Sequence, residues 1–184
     1  MAVVVGGTVV AGVTALVLAL WSLSDAAVSE QDKKEKKCCW KEGVTSASLS
    51  REVGLRIPEE AKDKRAAYKT GSRYDTALLA FTLPDTEARN YVDRLKPSGD
   101  TLLRNTHPKQ KNYRPTAPFA RLDLPEPETL TKGVRRISLC PDEAALPAES
   151  RNGPEGEHLR HCVDLYTHEF KPGTTRVYLR SDIE

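Results

Sequence analysis

The sequence lacks the signatures by which enzymes are usually read. It holds no G-x-S-x-G elbow, phosphate-binding loop, dinucleotide fingerprint or H-E-x-x-H pair. No C-x2-C spacing sets thiolates around a zinc ion, so neither a metal nor another cofactor is expected. An excess of one charge is missing too. Twenty-eight Lys and Arg stand against 26 Asp and Glu, and a net charge of +2 argues against nucleic acid as a partner. Aromatic residues make up only 6% of the chain, which limits the folded part to a modest core. Internal repeats at periods of about 20–50 residues are absent, which sets solenoids and propellers aside.

Long apolar runs are absent as well, with one exception. Ala2 to Leu23 (AVVVGGTVVAGVTALVLALWSL) is 22 residues without a charge. As a helix it would be about 33 Å long, matching a hydrocarbon core of about 30 Å. Trp21 falls where an interfacial aromatic belongs, and Asp25 marks the exit into water. Residues 1–24 are therefore read as a retained transmembrane anchor, and the lipid bilayer as a partner. A cleaved signal peptide is the rival, with Ser24-Asp25-Ala26 as its site. The run exceeds the usual ~7–15 apolar residues and no basic region precedes it, and both points disfavour cleavage. No lipobox surrounds Cys38 or Cys39. Gly7, Ala11, Ala15 and Ala19 recur every fourth residue and would line one helix face with small side chains, which permits a weak homodimer.

Orientation is contested within the chain. Lys33, Lys34, Lys36, Lys37 and Lys41 flank the run on its C-terminal side, and the positive-inside rule then places the rest in the cytoplasm. The four cysteines argue for an oxidising compartment instead. A start codon assigned too far downstream would resolve the conflict by hiding upstream arginines. The expectation adopted is an extracytoplasmic domain, residues 42–184, behind a charged tether, residues 25–41.

Within the domain, Val53, Leu55 and Ile57 alternate before Pro58 and read as a short strand. Pro58 to Thr70 fits either a polar helix or an edge strand, with a turn at Thr70-Gly71-Ser72. Tyr74 to Leu83 is apolar on both faces, as a central strand should be. Asp85 is placed to cap a helix whose Ala88, Tyr91, Val92 and Leu95 form a stripe at i, i+3, i+4 and i+7. Pro97 and Gly99 would end it. Gly133 to Cys140 reads as another strand. Cys162 to Phe170 and Thr174 to Ile183 read as a hairpin about Pro172-Gly173. The expected fold is α+β: an antiparallel or mixed sheet packed by one main amphipathic helix.

Two charge features and one covalent one remain. Ser98 to Arg121 carries Arg104, Lys109, Lys111, Arg114 and Arg121 against Asp100, a local charge of +4. It is the candidate contact for anionic lipid or an anionic envelope polymer, with a solvated loop as the plainer reading. The segment after Cys140 is acidic, with Asp142, Glu143, Glu149, Glu155 and Glu157 against Arg151. Cys140 and Cys162 bracket it, and a disulfide there would stabilise by about 3 kcal/mol. Adjacent Cys38 and Cys39 would be strained as a mutual pair. His158, His161 and His168 near Cys162 read as surface histidines.

The segment from Cys39-Trp40 to Pro97, with GLRIPEEA and YDTALLAFTLPDTEARNYVDRL, resembles a set of uncharacterised actinobacterial membrane-anchored or secreted proteins. The resemblance spans about a third of the chain. It implies a surface-facing domain and brings no activity. The function expected is a membrane-tethered, non-catalytic binding module whose partner is another envelope protein or an anionic polymer. The alternatives are a tethered envelope enzyme and a cytosol-facing adaptor.

Overall fold

A computed structural model describes residues 39–97, 99–141 and 159–183. The chain divides after Cys38, and Cys39–Glu184 forms one compact unit. The proposed anchor with its small-residue strip, Cys38, and most of the acidic segment lie outside the described residues. Among those described, no helix is long and apolar enough to cross a membrane.

Six strands form one antiparallel sheet: β1 (Lys62–Lys69), β2 (Asp75–Pro84), β3 (Leu103–Arg104), β4 (Val134–Leu139), β5 (Val163–Lys171) and β6 (Thr174–Ile183). Their spatial order is β1-β2-β6-β5-β4-β3. β2 lies inside the sheet because both its faces are apolar: Ala77, Leu79, Phe81 and Leu83 point one way, Leu78 and Ala80 the other. The charged 62–69 segment takes the outer position, so the edge-strand reading of Pro58–Thr70 holds and the helical one does not. In the hairpin, Leu165 lies opposite Leu179 as the alternation requires, while Val163 faces Ser181. Gly173 has φ 74°, the left-handed value that the third position of a type II turn needs. The ladder slips by one residue between Glu169 and Lys171, so the turn carries a bulge as well.

Two helices cover one face. α2 (Asp85–Leu95) buries the expected stripe of Ala88, Tyr91, Val92 and Leu95, and Tyr91 meets Phe81 edge-on at 5.5 Å. Its cap differs from expectation. Pro84 is the N-cap residue, Asp85 begins the helix, and the Asp85 carboxylate accepts from the Thr175 hydroxyl at 2.6 Å.

The strand expected at Val53–Ile57 is also corrected. Ser46–Val53 is a helix, α1, and 54–57 is irregular. Thr45 and Ser48 cap it reciprocally, with Ser48 N donating to Thr45 Oγ1 at 3.1 Å and Thr45 N to Ser48 Oγ at 3.2 Å. Leu55 N returns to Ser50 O at 2.8 Å, which closes the helix in a Schellman turn. Leu49 and Val53, four apart, are buried on the sheet, so the residue read as a strand's first is a helix's last.

The opposite face is covered by a long proline-rich segment, 105–130. Two 3-10 turns, Phe119–Leu122 and Pro127–Thr129, give it local order. Phe119, Leu122 and Leu124 join Leu78, Ala80, Tyr166 and Tyr178 in a second core. Phe119 packs edge-on to Tyr178 at 5.0 Å. A disulfide joins Cys140 to Cys162, 22 residues apart, as the bracketing positions suggested. Cys39 is disulfide-bonded too.

Candidate functional site

The basic segment and the covering segment are one piece of chain, and its charges are sorted by side. Of its acids between 104 and 130, Glu126 and Glu128 turn inward onto Arg180 of β6, leaving Asp123 exposed. Arg180 Nη2 reaches Glu126 Oε2 at 3.1 Å, and Nη1 donates to Glu128 Oε1. Ala120 N donates to Glu126 Oε1, and the Tyr166 hydroxyl to Glu128 Oε1 at 3.2 Å. The guanidinium also lies 5.0 Å from the centre of the Phe119 ring. Side-chain exposures are 14% for Arg180, 8% for Glu126 and 11% for Glu128, so the cluster is shielded.

The partners respond differently. Burial disfavours the Arg180 cation, but the Glu128 hydrogen bond and charge outweigh it and hold Arg180 above its ordinary pKa. Glu126 is raised, because burial costs its carboxylate more than the Ala120 N–H and Arg180 return. Glu128 is thus the principal counter-ion, with Glu126 the more strained partner. Burial, with Glu128 next, also raises the Tyr166 phenol. Glu128 Oε2 and Arg180 Nε are buried without a hydrogen-bond partner among the described residues.

Outside this clamp, Arg104, Lys109, Lys111, Arg114 and Arg121 are all exposed. None of them forms an ion pair among the described residues. Arg104 on β3 lies directly opposite Arg135 on β4, a like-charge cross-strand pair, with Arg136 beside it opposite Leu103. Lys109 Nζ lies 6.0 Å from the Tyr113 ring, while Arg114 Nη1 donates to the carbonyls of Lys111 and Tyr113. Arg121 leaves this group and stacks on Trp40 at 5.6 Å.

A groove of about 710 Å³ lies between the 56–60 segment and α2, lined by Arg56, Pro58, Glu59, Glu60, Glu87, Asn90, Asp93 and Arg94. Its charged side chains are exposed, and Arg56 pairs with Glu59 at 3.6 Å. His158 lies outside the described residues, and His161 and His168 do not converge. His161 precedes β5, and His168 lies within it opposite Val134 and Arg176. Burial, then the Arg176 charge, lowers the His168 pKa. Among the described residues, no group of three or more His, Cys, Asp and Glu could hold a metal ion.

No family model matches the chain, and neither does any curated protein or solved structure. Any functional reading therefore rests on this geometry.

The clamp was missed in the sequence, because Arg180 lies 54 and 52 residues from its two partners. One signal was available. Arg176 and Arg180 alternate with Val177 and Leu179 in the last strand, so acids from elsewhere in the chain had to meet them: Asp63 of β1 meets Arg176, and Glu126 and Glu128 meet Arg180.

Proposed function

We propose that this chain is a membrane-tethered, non-catalytic binding module on the extracytoplasmic side, with 104–121 as its contact for an anionic envelope polymer or partner. One observation carries the reading. The covering segment holds two of its acids inside, on Arg180, and keeps Lys109, Lys111, Arg114 and Arg121 outside, with Arg104 just before it, none of the five in an ion pair among the described residues. Cations presented without carboxylates attract a polyanion at long range and at no cost in broken ion pairs. The Cys140–Cys162 disulfide supports the extracytoplasmic side, since such bonds persist where thiols are oxidised. The uncharged run at Ala2–Leu23 supports the tether.

The test is titration of the full chain, in detergent, with poly(glycerol phosphate) at rising ionic strength. Binding that weakens steadily with salt, and is largely lost in Lys109→Gln/Lys111→Gln/Arg114→Gln, is the expected result. Equal binding by the variant and the parent would overturn the reading.

The envelope-enzyme alternative has one feature in its favour, the charged groove beside α2. A fluorogenic hydrolase panel that lost turnover in Glu87→Gln or Asp93→Asn would promote it.

A further inference from the structure

A second surface, which shares only Arg121 with the basic loop, sets three aromatic rings against four cations. Where the domain begins, Lys41 N donates to Tyr68 O at 2.9 Å and Thr70 N to Cys39 O at 2.6 Å. Residues 39–41 are thereby pinned along the outer edge of β1, with Trp40 bridged to Lys69. Lys41 Nζ lies 4.1 Å from the Tyr68 ring, and Trp40 has Lys69 and Arg121 over its ring at 5.9 and 5.6 Å. The adjoining turn adds Tyr74, 38% exposed, with the Arg73 guanidinium at 5.0 Å.

The turn is built tightly. A Cβ on Gly71 would fall 2.0 Å from Tyr74 O, so only glycine fits there. Asp75 is drawn into the turn, accepting from Gly71 N at 3.0 Å and the Tyr68 hydroxyl at 2.6 Å. Lys41, Lys69, Arg73 and Arg121 form no ion pair among the described residues, and Glu42 and Glu52 are exposed acids near them.

We propose that this corner docks the domain onto the anionic headgroups of the bilayer that holds the tether. The inference rests on the tethered reading above and adds an orientation to it. Indole and phenol rings interleaved with Lys and Arg suit the headgroup layer, where rings take the partly apolar depth and cations meet lipid phosphates. Chain continuity selects the bilayer over a soluble anion. The corner contains Trp40 and Lys41, the last residues of the tether, and backbone hydrogen bonds fix this end of the tether to β1 and Thr70.

The experiment reconstitutes the full chain carrying Trp21→Phe, Trp40→Phe and Tyr74→Trp into vesicles of phosphatidylcholine with or without phosphatidylglycerol. The single indole then lies in the turn, remote in sequence from the tether, and its quenching by headgroup-spin-labelled lipid is read. Strong quenching is expected only with phosphatidylglycerol, and it should fall as salt is raised. Neutralising Lys41, Arg73 and Arg121 to Gln should shift the docked-to-free ratio about fivefold per residue. Circular dichroism checks that the variants fold. Quenching that is absent, or equal with and without phosphatidylglycerol, in protein that stays with the vesicles through alkaline carbonate overturns the docking alone. Protein that washes off in carbonate overturns the tether and the docking together.

Discussion

Arg180 and Glu128 are joined across 52 residues of chain, one on the last strand and the other in the segment that lies over it. That pair, with Glu126, fixes the covering segment to the second face of the sheet. Breaking one side of a shielded ion pair leaves the other charge uncompensated, at a cost of about 3–5 kcal/mol. Arg180→Met should therefore lower the thermal midpoint sharply, as followed by circular dichroism. The triple variant Arg180→Met/Glu126→Gln/Glu128→Gln should recover part of the loss, because no uncompensated charge then remains. A small effect of Arg180→Met would show that Phe119 and its neighbours hold the segment unaided.

Tyr68 and Asp75 make a second linked pair, at the β1–β2 turn. The Tyr68 hydrogen bond, then that from Gly71 N, holds Asp75 below its ordinary value of 3.8. Burial and the same carboxylate push Tyr68 up to about 12. A carboxylate depressed in the folded state adds stability above its unfolded pKa, and that stability is lost as pH falls through the folded value. Tyr68→Phe should move the Asp75 titration upward, read by carbon-13 NMR of its carboxyl, and should reduce the loss of stability on acidification. An unchanged Asp75 titration would assign the depression to the Gly71 N–H instead.

The Cys140–Cys162 bond closes a loop of 22 residues in sequence separation, for which chain entropy gives about 3 kcal/mol. Cys140→Ser/Cys162→Ser should lose roughly that much in urea unfolding. Reducing agent should destabilise the parent by more than it does the double variant, which retains only the Cys39 disulfide.

Much of the sheet was legible because its strands carry their burial in their pattern. β2 is apolar on both faces and proves central; the final hairpin announces its turn with Pro172-Gly173; α2 shows its stripe. α1 was not legible as a helix. Its serines hide the periodicity, and Val53, Leu55 and Ile57 happen to alternate; the usable signals were Thr45 with Ser48 and the terminating Gly54. The second core was hidden for a different reason. The prolines and cations of 98–121 read as an open loop, although Phe119, Leu122 and Leu124 mark the stretch that packs on the sheet. The clamp depends on partners brought together only by folding, so no local spacing could reveal it.

The account turns on a tethered domain presenting its cations on the oxidising side of a membrane. The most direct measurement is labelling of intact cells with a membrane-impermeant maleimide, with and without prior treatment by an impermeant reductant. Labelling of Cys140 and Cys162 in intact cells only after reduction is the predicted result. Labelling only after lysis, with no reductant needed, would place the domain inside with free thiols and contradict the account.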